Sequence, residues 1–529
     1  MTQRVDAVVV GAGPNGLTAA IRLARAGKSV LVCEAKESAG GAVRSAELTE
    51  PGFISDTFSA VYPAAVASPI LSAMPLERHG LEWVTPEIAM AHPMPDGRAG
   101  ALYQDLDLTA DNLNGLHPGD GTAWRNWVSP YLDHIDALKR TLLGGFPPLI
   151  GAARLGAGLG LEGTLEFSRL LLMPAAVLAR ELFGGAHAQA WLYGSVLHGD
   201  VPAEESGSAI AGAYLQILGH ATGWPSPRGG AQHLTDALVG YLSELGGEVW
   251  TSSPVERIVT DGRRVGGVLL ATGERVRAPM VIVDTSPHAM LRLVGSRMPV
   301  EYAKRLGRFR YGPRTVKVDW SLDEPVPWTA PAARRAGTVH VGGEAAAVTR
   351  QTAAVRAGWI PDEPFMLFGQ QSVADHTRAP DGKHTAWAYT RVPEAVAGAG
   401  AALAHAERMT DQIERFAPGF RDIVRRRHVQ GPEALQAGNA NLVGGDVGGG
   451  TYTLDQTIFR PLPALVPYAT PIRGLWLGSA STFPGGAVHG VPGWTAAATR
   501  CWHAGSDDRS SPTSLPSFTE QALTCGYER

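Results

Sequence analysis

Three glycines, Gly11, Gly13 and Gly16, follow directly on an apolar run at residues 5–10 that reads as a buried parallel strand. Each has a separate task at a pyrophosphate: Gly11 permits the tight turn, Gly13 lets the backbone approach the phosphates, and Gly16 lets the next helix pack closely on the strand. Pro14 and Asn15 complete the turn, and residues 17–26 carry apolar side chains at helical spacing before a stop at Gly27. The N-terminus of that helix offers free N–H groups and a partial positive charge. Residues 29–33 read as a second strand ending at Glu34, followed by Ala35. A carboxylate here can accept hydrogen bonds from both ribose hydroxyls and disfavours a 2′-phosphate. The chemistry is dinucleotide binding, with NAD and FAD both open.

A second glycine pair, Gly40–Gly41, lies just beyond the acid, with Arg44 three residues on. Such a pair is expected where the chain turns back across an extended dinucleotide, as in flavoproteins of the glutathione-reductase and amine-oxidase type. From Asp6 to Arg44 the chain resembles the phytoene desaturase-like group of FAD-dependent oxidoreductases, which includes the carotenoid desaturases and the pyridine nucleotide-disulfide oxidoreductase domain 2-like proteins. Many of those relatives place an arginine directly after the second glycine, near the pyrophosphate; here Ala42 occupies that place and Arg44 follows two positions later.

The far end is similar to the same group. Residues 474–481 read as a strand entering a turn, 484–490 as a glycine loop, and 491–503 as a helix with Pro492 in its first turn. The resemblance implies that this loop passes the pyrimidine edge of the isoalloxazine. It also implies that the helix directs its N-terminus at N1 and C2=O, where reduction leaves negative charge. It carries Gly478, Ser479, Gly486, Val488 and His489 into the FAD site. A middle block, 227–284, matches as well: glycines at 229–230, a helix over 231–245, then short strands. Within it, Val255 corresponds to the residue whose backbone meets the adenine.

These segments imply an α/β chain: a Rossmann-type FAD-binding domain of the glutathione-reductase/amine-oxidase kind, with an inserted α+β substrate domain. The FAD-binding domain is expected from residues 1–75, 225–295 and 460–505. The substrate domain is expected from 76–224, mostly helical, and from 296–459, with a loose tail over 506–529. The glycine-rich stretch 443–450 is expected to line the pocket.

Composition bounds the partners. The chain has 529 residues, too many for one core, with 44% hydrophobic and 18% charged residues. Its net charge of −4 supplies no basic excess, so no nucleic-acid role is expected. Three cysteines, Cys33, Cys501 and Cys525, are too few and scattered for a disulfide scaffold. No signal-peptide h-region and no membrane span are visible, which points to a cytoplasmic protein with peripheral membrane contact left open. His198, His220, His233 and His376 show no pairing at metal-ligand spacing, and no metal is expected.

The expected reaction is removal of hydride from a C–H bond of a small apolar or amphipathic molecule to flavin N5. Oxygen, a quinone or another acceptor would take the electrons. The candidate catalytic side chains are His489 and Asp56. An FAD-dependent non-redox isomerase of a polyene-like substrate, a flavin amine oxidase, and a flavin-free binding module of the same fold are the alternatives.

Overall fold

The computed structural model describes residues 3–498, so the expected tail at 506–529 lies outside the described residues. The Ala7–Val10 and Val30–Cys33 strands are buried along their whole length. Continuous apolar runs of this kind suit a parallel sheet covered on both faces. Five strands form that sheet in the order Glu248–Trp250, Val30–Cys33, Ala7–Val10, Val281–Val283, Leu475–Leu477, and every neighbouring pair is parallel. Its members therefore come from the beginning, the middle and the end of the chain.

The Pro14–Arg25 helix joins the first two strands, with Pro14 in the first turn, where no amide hydrogen is required. It packs on the Val491–Ala498 helix. The approach is close enough to require glycine, since a Cβ on Gly493 would lie 1.7 Å from the Asn15 carbonyl oxygen. Thr18 Oγ1 also donates to the Gly490 carbonyl at 2.8 Å. The first helix and the 490–498 segment are thus bound together beside the phosphate turn. A four-stranded sheet flanks this core, ordered Gln3–Arg4, Arg275–Arg277, Arg264–Leu270, Val255–Asp261.

The second large sheet has seven strands, ordered Val424–Gln430, Arg314–Leu322, His384–Val392, Met366–Gly369, Ala336–Val341, Ile88–Pro93, Ala99–Tyr103. The stretch 76–224, expected to be mostly helical, thus adds two strands to a sheet whose other members come from residues 314–430, through parallel pairing of Ala336–Val341 with Ile88–Pro93. Alternation along Arg314–Leu322 explains its two faces. Val316, Val318, Trp320 and Leu322 join a core with Phe368, Ala386, Ala388 and Phe420. Thr315, Lys317 and Asp319 point the other way, paired across the ladder with Arg391, Tyr389 and Trp387. Helices from 106–222 pack over that side around Trp124 and Trp191, and they leave a cavity between themselves, the sheet and the parallel-sheet domain.

Candidate functional site

The phosphate turn is built by backbone contacts that no side chain could share. Gly11 has φ +100°, and a Cβ on Gly16 would sit 2.0 Å from the Gly11 carbonyl oxygen. Glu34 is 8% exposed; its Oε2 accepts the Ala12 amide at 2.8 Å and its Oε1 accepts the Lys36 amide at 2.9 Å. Gly40 donates to the Ala12 carbonyl at 2.8 Å, and Gly41 (φ +56°) lies against Gly13. Arg44 is held by the Gly41 and Gly438 carbonyls and stacks on Phe58. Burial lowers the Arg44 pKa while Glu34 opposes that shift. The turn, the acid, the glycine pair and Arg44 therefore converge. Asn15 is buried, and its Oδ1 has no partner. Ala35 is exposed next to the acid. Val255 stands further out, at the start of a strand paired with Leu270; it connects to Glu34 through Ser253, whose amide donates to the Glu34 carbonyl.

At the other end, Gly478 follows the Leu475–Leu477 strand and lies against Gly493, while Ser479 is buried and caps the next turn through its carbonyl. Gly486, Val488 and His489 line the cavity. His489 accepts the Val491 amide at Nδ1 (3.2 Å), which puts the proton on Nε2, donated to the Gly486 carbonyl at 3.0 Å. Burial pushes its pKa down to about 4. Both ring nitrogens thus serve the backbone of the glycine loop. Asp56 is enclosed behind the wall: Oδ1 accepts Ser45 Oγ and the Ala231 amide, and Oδ2 accepts Arg378 Nη2 at 3.0 Å. Arg378 also binds Asp375, giving a buried acid–base–acid network that ties the N-terminal segment to the second sheet. Neither residue presents a free proton acceptor to the cavity.

The cavity has a volume of about 490 Å³. The parallel-sheet domain supplies Ala42, Phe58 and the 486–489 loop; the helices supply apolar residues such as Leu142, Ile210 and Leu215; and the sheet supplies Thr315, Lys317, Tyr389 and Arg391. Val447, Gly448 and Tyr452 from the glycine-rich stretch close another side. Asp446 braces that stretch by accepting the Gly448 and Gly450 amides, each at 2.7 Å.

The glycine turn near residue 13 and the glycine loop at 486–489 thus belong to one joined unit, and sequence comparison assigns that unit to a family. The profile of the flavin-containing amine oxidoreductase family matches residues 15–498. The chain belongs to this family. The pyridine nucleotide-disulfide oxidoreductase domain-containing protein 2 of Rattus norvegicus is 27% identical over 546 residues, covering 93% of this chain and 92% of that protein. A limonene dehydrogenase polypeptide of Castellaniella defragrans is 25% identical over 542 residues, covering 94% of both. An oxidoreductase from Methanosarcina mazei shares the fold, with a TM-score of 0.65 at 16% identity over 94% of this chain and 100% of that one.

As a member of the flavin-containing amine oxidoreductase family, the chain is an FAD-dependent oxidoreductase, and its residues fit the cofactor. A Cβ at Gly13 or Gly16 would run into Asp284 Oδ2 or the Gly11 carbonyl oxygen, so the turn keeps a bare backbone. Glu34 uses only two of its roughly four acceptor positions on the protein, which leaves acceptors for a ribose. Below the loop, Arg460 is fully buried, donates to the Gly449 and Gly450 carbonyls, and keeps Nε and Nη1 without partners beside Gly485. Glu34, Arg44 and the first helix would hold the diphosphate half, and the 478–489 segment the ring half.

Several site residues escaped the sequence reading. Asp284 follows the Val281–Val283 strand, and its Oδ2 accepts the Gly16 amide at 2.9 Å. Lys317 donates to Asp319 at 2.6 Å in a pair with almost no exposure. Burial raises the Asp319 pKa while Lys317 opposes that shift. His198 and Arg391 share the polar end of the cavity. The alternation of Thr315, Lys317, Asp319 and Ser321 with apolar residues was the one local signal for any of them.

Proposed function

We propose that this flavoenzyme is a desaturase or dehydrogenase that takes hydride from a C–H bond of a small, largely apolar molecule. FAD, when bound, supplies the hydride-accepting centre. The observation that carries the reading is the cavity itself: a mostly apolar chamber with the 486–489 loop on one wall and the strand residues Lys317, Tyr389 and Arg391 on another. The chain's own part is to orient a C–H bond and exclude water. His489 keeps the loop in shape, and the Asp56–Arg378–Asp375 network joins the two domains. No Asp or Glu lines the cavity among the described residues, so nothing there compensates an ammonium, and amine oxidation is the less favoured chemistry.

No helix among the described residues is long and apolar enough to cross a membrane. Leu149, Ile150, Leu161 and Leu165 on the Leu149–Leu170 helix are exposed, as is Leu172 beside the cavity residue Leu171. This supports uptake of an apolar substrate through peripheral contact with a lipid surface. The test is anaerobic: the purified protein should show flavin absorption bands, and candidate terpenoid or fatty substrates should bleach them. A protein that takes up no flavin on reconstitution would refute the proposal.

A further inference from the structure

The charge pattern of the cavity narrows the substrate class. Its only full charges are Lys317 and Arg391, since no carboxylate lines it among the described residues. Lys317 is already matched by Asp319. Arg391 is not matched: Nη1 donates to Thr315 Oγ1 at 2.9 Å, Nη2 reaches the Gly199 carbonyl at 3.5 Å, and the guanidinium lies 5.4 Å from the centre of the Tyr389 ring. Its Nε is buried without a partner. A guanidinium has five donors, so most of its capacity is unused. An uncompensated cation in an apolar chamber is costly unless a ligand brings the anion.

His198 stands beside it. Its Nε2 lies 2.9 Å from His340 Nε2, and Gly199, the next residue, is the one Arg391 touches. Burial and the Arg391 charge push His198 down to about 3, so the imidazole is neutral. His340 Nδ1 is buried without a partner against Gly194, where a Cβ would come within 2.5 Å of it. An unpaired lone pair at that position costs less than an unpaired N–H. We therefore assign the shared proton to His340 Nε2, which leaves His198 with N–H at Nδ1. His340 is thus a positioning residue that makes His198 a donor.

We infer that the substrate carries one carboxylate on an otherwise apolar body, and that Arg391 with His198 receives that carboxylate. This rests on the reading of the cavity as the substrate chamber. One unmatched positive charge suits a monoanion, and the planar fork of arginine suits a carboxylate. Arg391, Tyr389 and Gly199 also line a neighbouring cavity of about 330 Å³. That chamber is also lined by Arg314 and Arg356, each already paired with a glutamate outside it (Glu433 and Glu205), and by Asp200 and Glu394, whose charges oppose an anion, so the carboxylate belongs on the central side. The apolar body then extends toward residues such as Leu142, Ile210 and Leu215.

The test compares decanoate, 1-decanol and decylamine by calorimetric titration of the FAD-loaded enzyme, using three chains that differ only in the head group. Decanoate should bind at least about tenfold tighter than decanol, with decylamine weakest. R391Q should remove the preference for the acid and leave decanol affinity unchanged, whereas R391K should keep part of it. H198F should weaken decanoate and spare decanol. Unaltered flavin spectra and melting curves report that the variants are folded; if R391Q does not fold, the wild-type comparison of acid with alcohol decides alone. Equal affinity for acid and alcohol, or a preference for the acid that R391Q leaves intact, would overturn the inference. Preferred decanoate binding upholds the anion site whether or not any compound bleaches the flavin, so failure of the redox reading is a separate result.

Discussion

Replacing Asp284 by asparagine should stabilise the protein increasingly as pH rises. Asp284 is 7% exposed, and its Oδ2 occupies the Gly16 amide beside Gly13. Burial pushes its carboxyl up to about 7; the Gly16 hydrogen bond works against this, and the nearby Glu34 charge adds to it. An aspartate in the unfolded chain titrates near 3.8. Between those values the folded state holds a proton that the unfolded state has released. Stability is therefore lost as pH rises through that window, and the loss is complete above about pH 7. At ~1.36 kcal/mol per pH unit, ionisation of Asp284 removes ~2.7 kcal/mol between about pH 5 and about pH 7.

Asparagine has no charge to desolvate, and its amide oxygen can still accept from Gly16. The stability difference, Asp284→Asn minus wild type, should thus grow by ~2–3 kcal/mol from about pH 5 to about pH 8. Chemical denaturation at saturating FAD measures it. Subtracting the two proteins cancels the background of buried neutral histidines such as His92, His220 and His489, whose depressed pKa values favour unfolding in acid. A gain that is the same at both pH values, or a variant less stable than wild type at the higher pH, would refute the assignment of a strained carboxyl at the phosphate turn.

Glu34→Ala should weaken FAD retention by ~1–3 kcal/mol, because the ribose loses its acceptor and the Ala12 amide loses its latch; equilibrium dialysis with free FAD reads this directly. Lys317→Met should destabilise the fold by ~3–5 kcal/mol by leaving Asp319 buried and unpaired. Adding Asp319→Leu should restore much of that loss in thermal melts, and a double variant no better than the single one would count against the pair.

The segments expected to hold the cofactor stand out in the chain because their demands are local. Gly11 and Gly16 meet within one turn, and each is needed for what its own backbone does over a few residues. Glu34 follows one strand and one helix later, at a distance set by standard element lengths. The spacing of glycines, a carboxylate and apolar runs was therefore enough to indicate a dinucleotide site, and a similar loop near the C-terminus indicated its other half.

The polar end of the cavity could not be read in this way, because its members are distant in sequence. His198 reaches His340 across 142 residues and Arg391 reaches Thr315 across 76, just as Asp284 reaches Gly16 at the phosphate turn across 268. Alternation along Arg314–Leu322 marks a strand with one polar face, but pairing and register decide that this face meets Arg391 and Tyr389 over a chamber rather than solvent. Likewise, the family resemblance pointed Asp56 and His489 toward the flavin, and only tertiary structure determined that their polar atoms are already engaged. Sequence alone determined the local shape of each segment, since backbone conformation and periodicity are short-range properties. The folded molecule determined which charges remain uncompensated, since compensation depends on every group brought within a few ångströms.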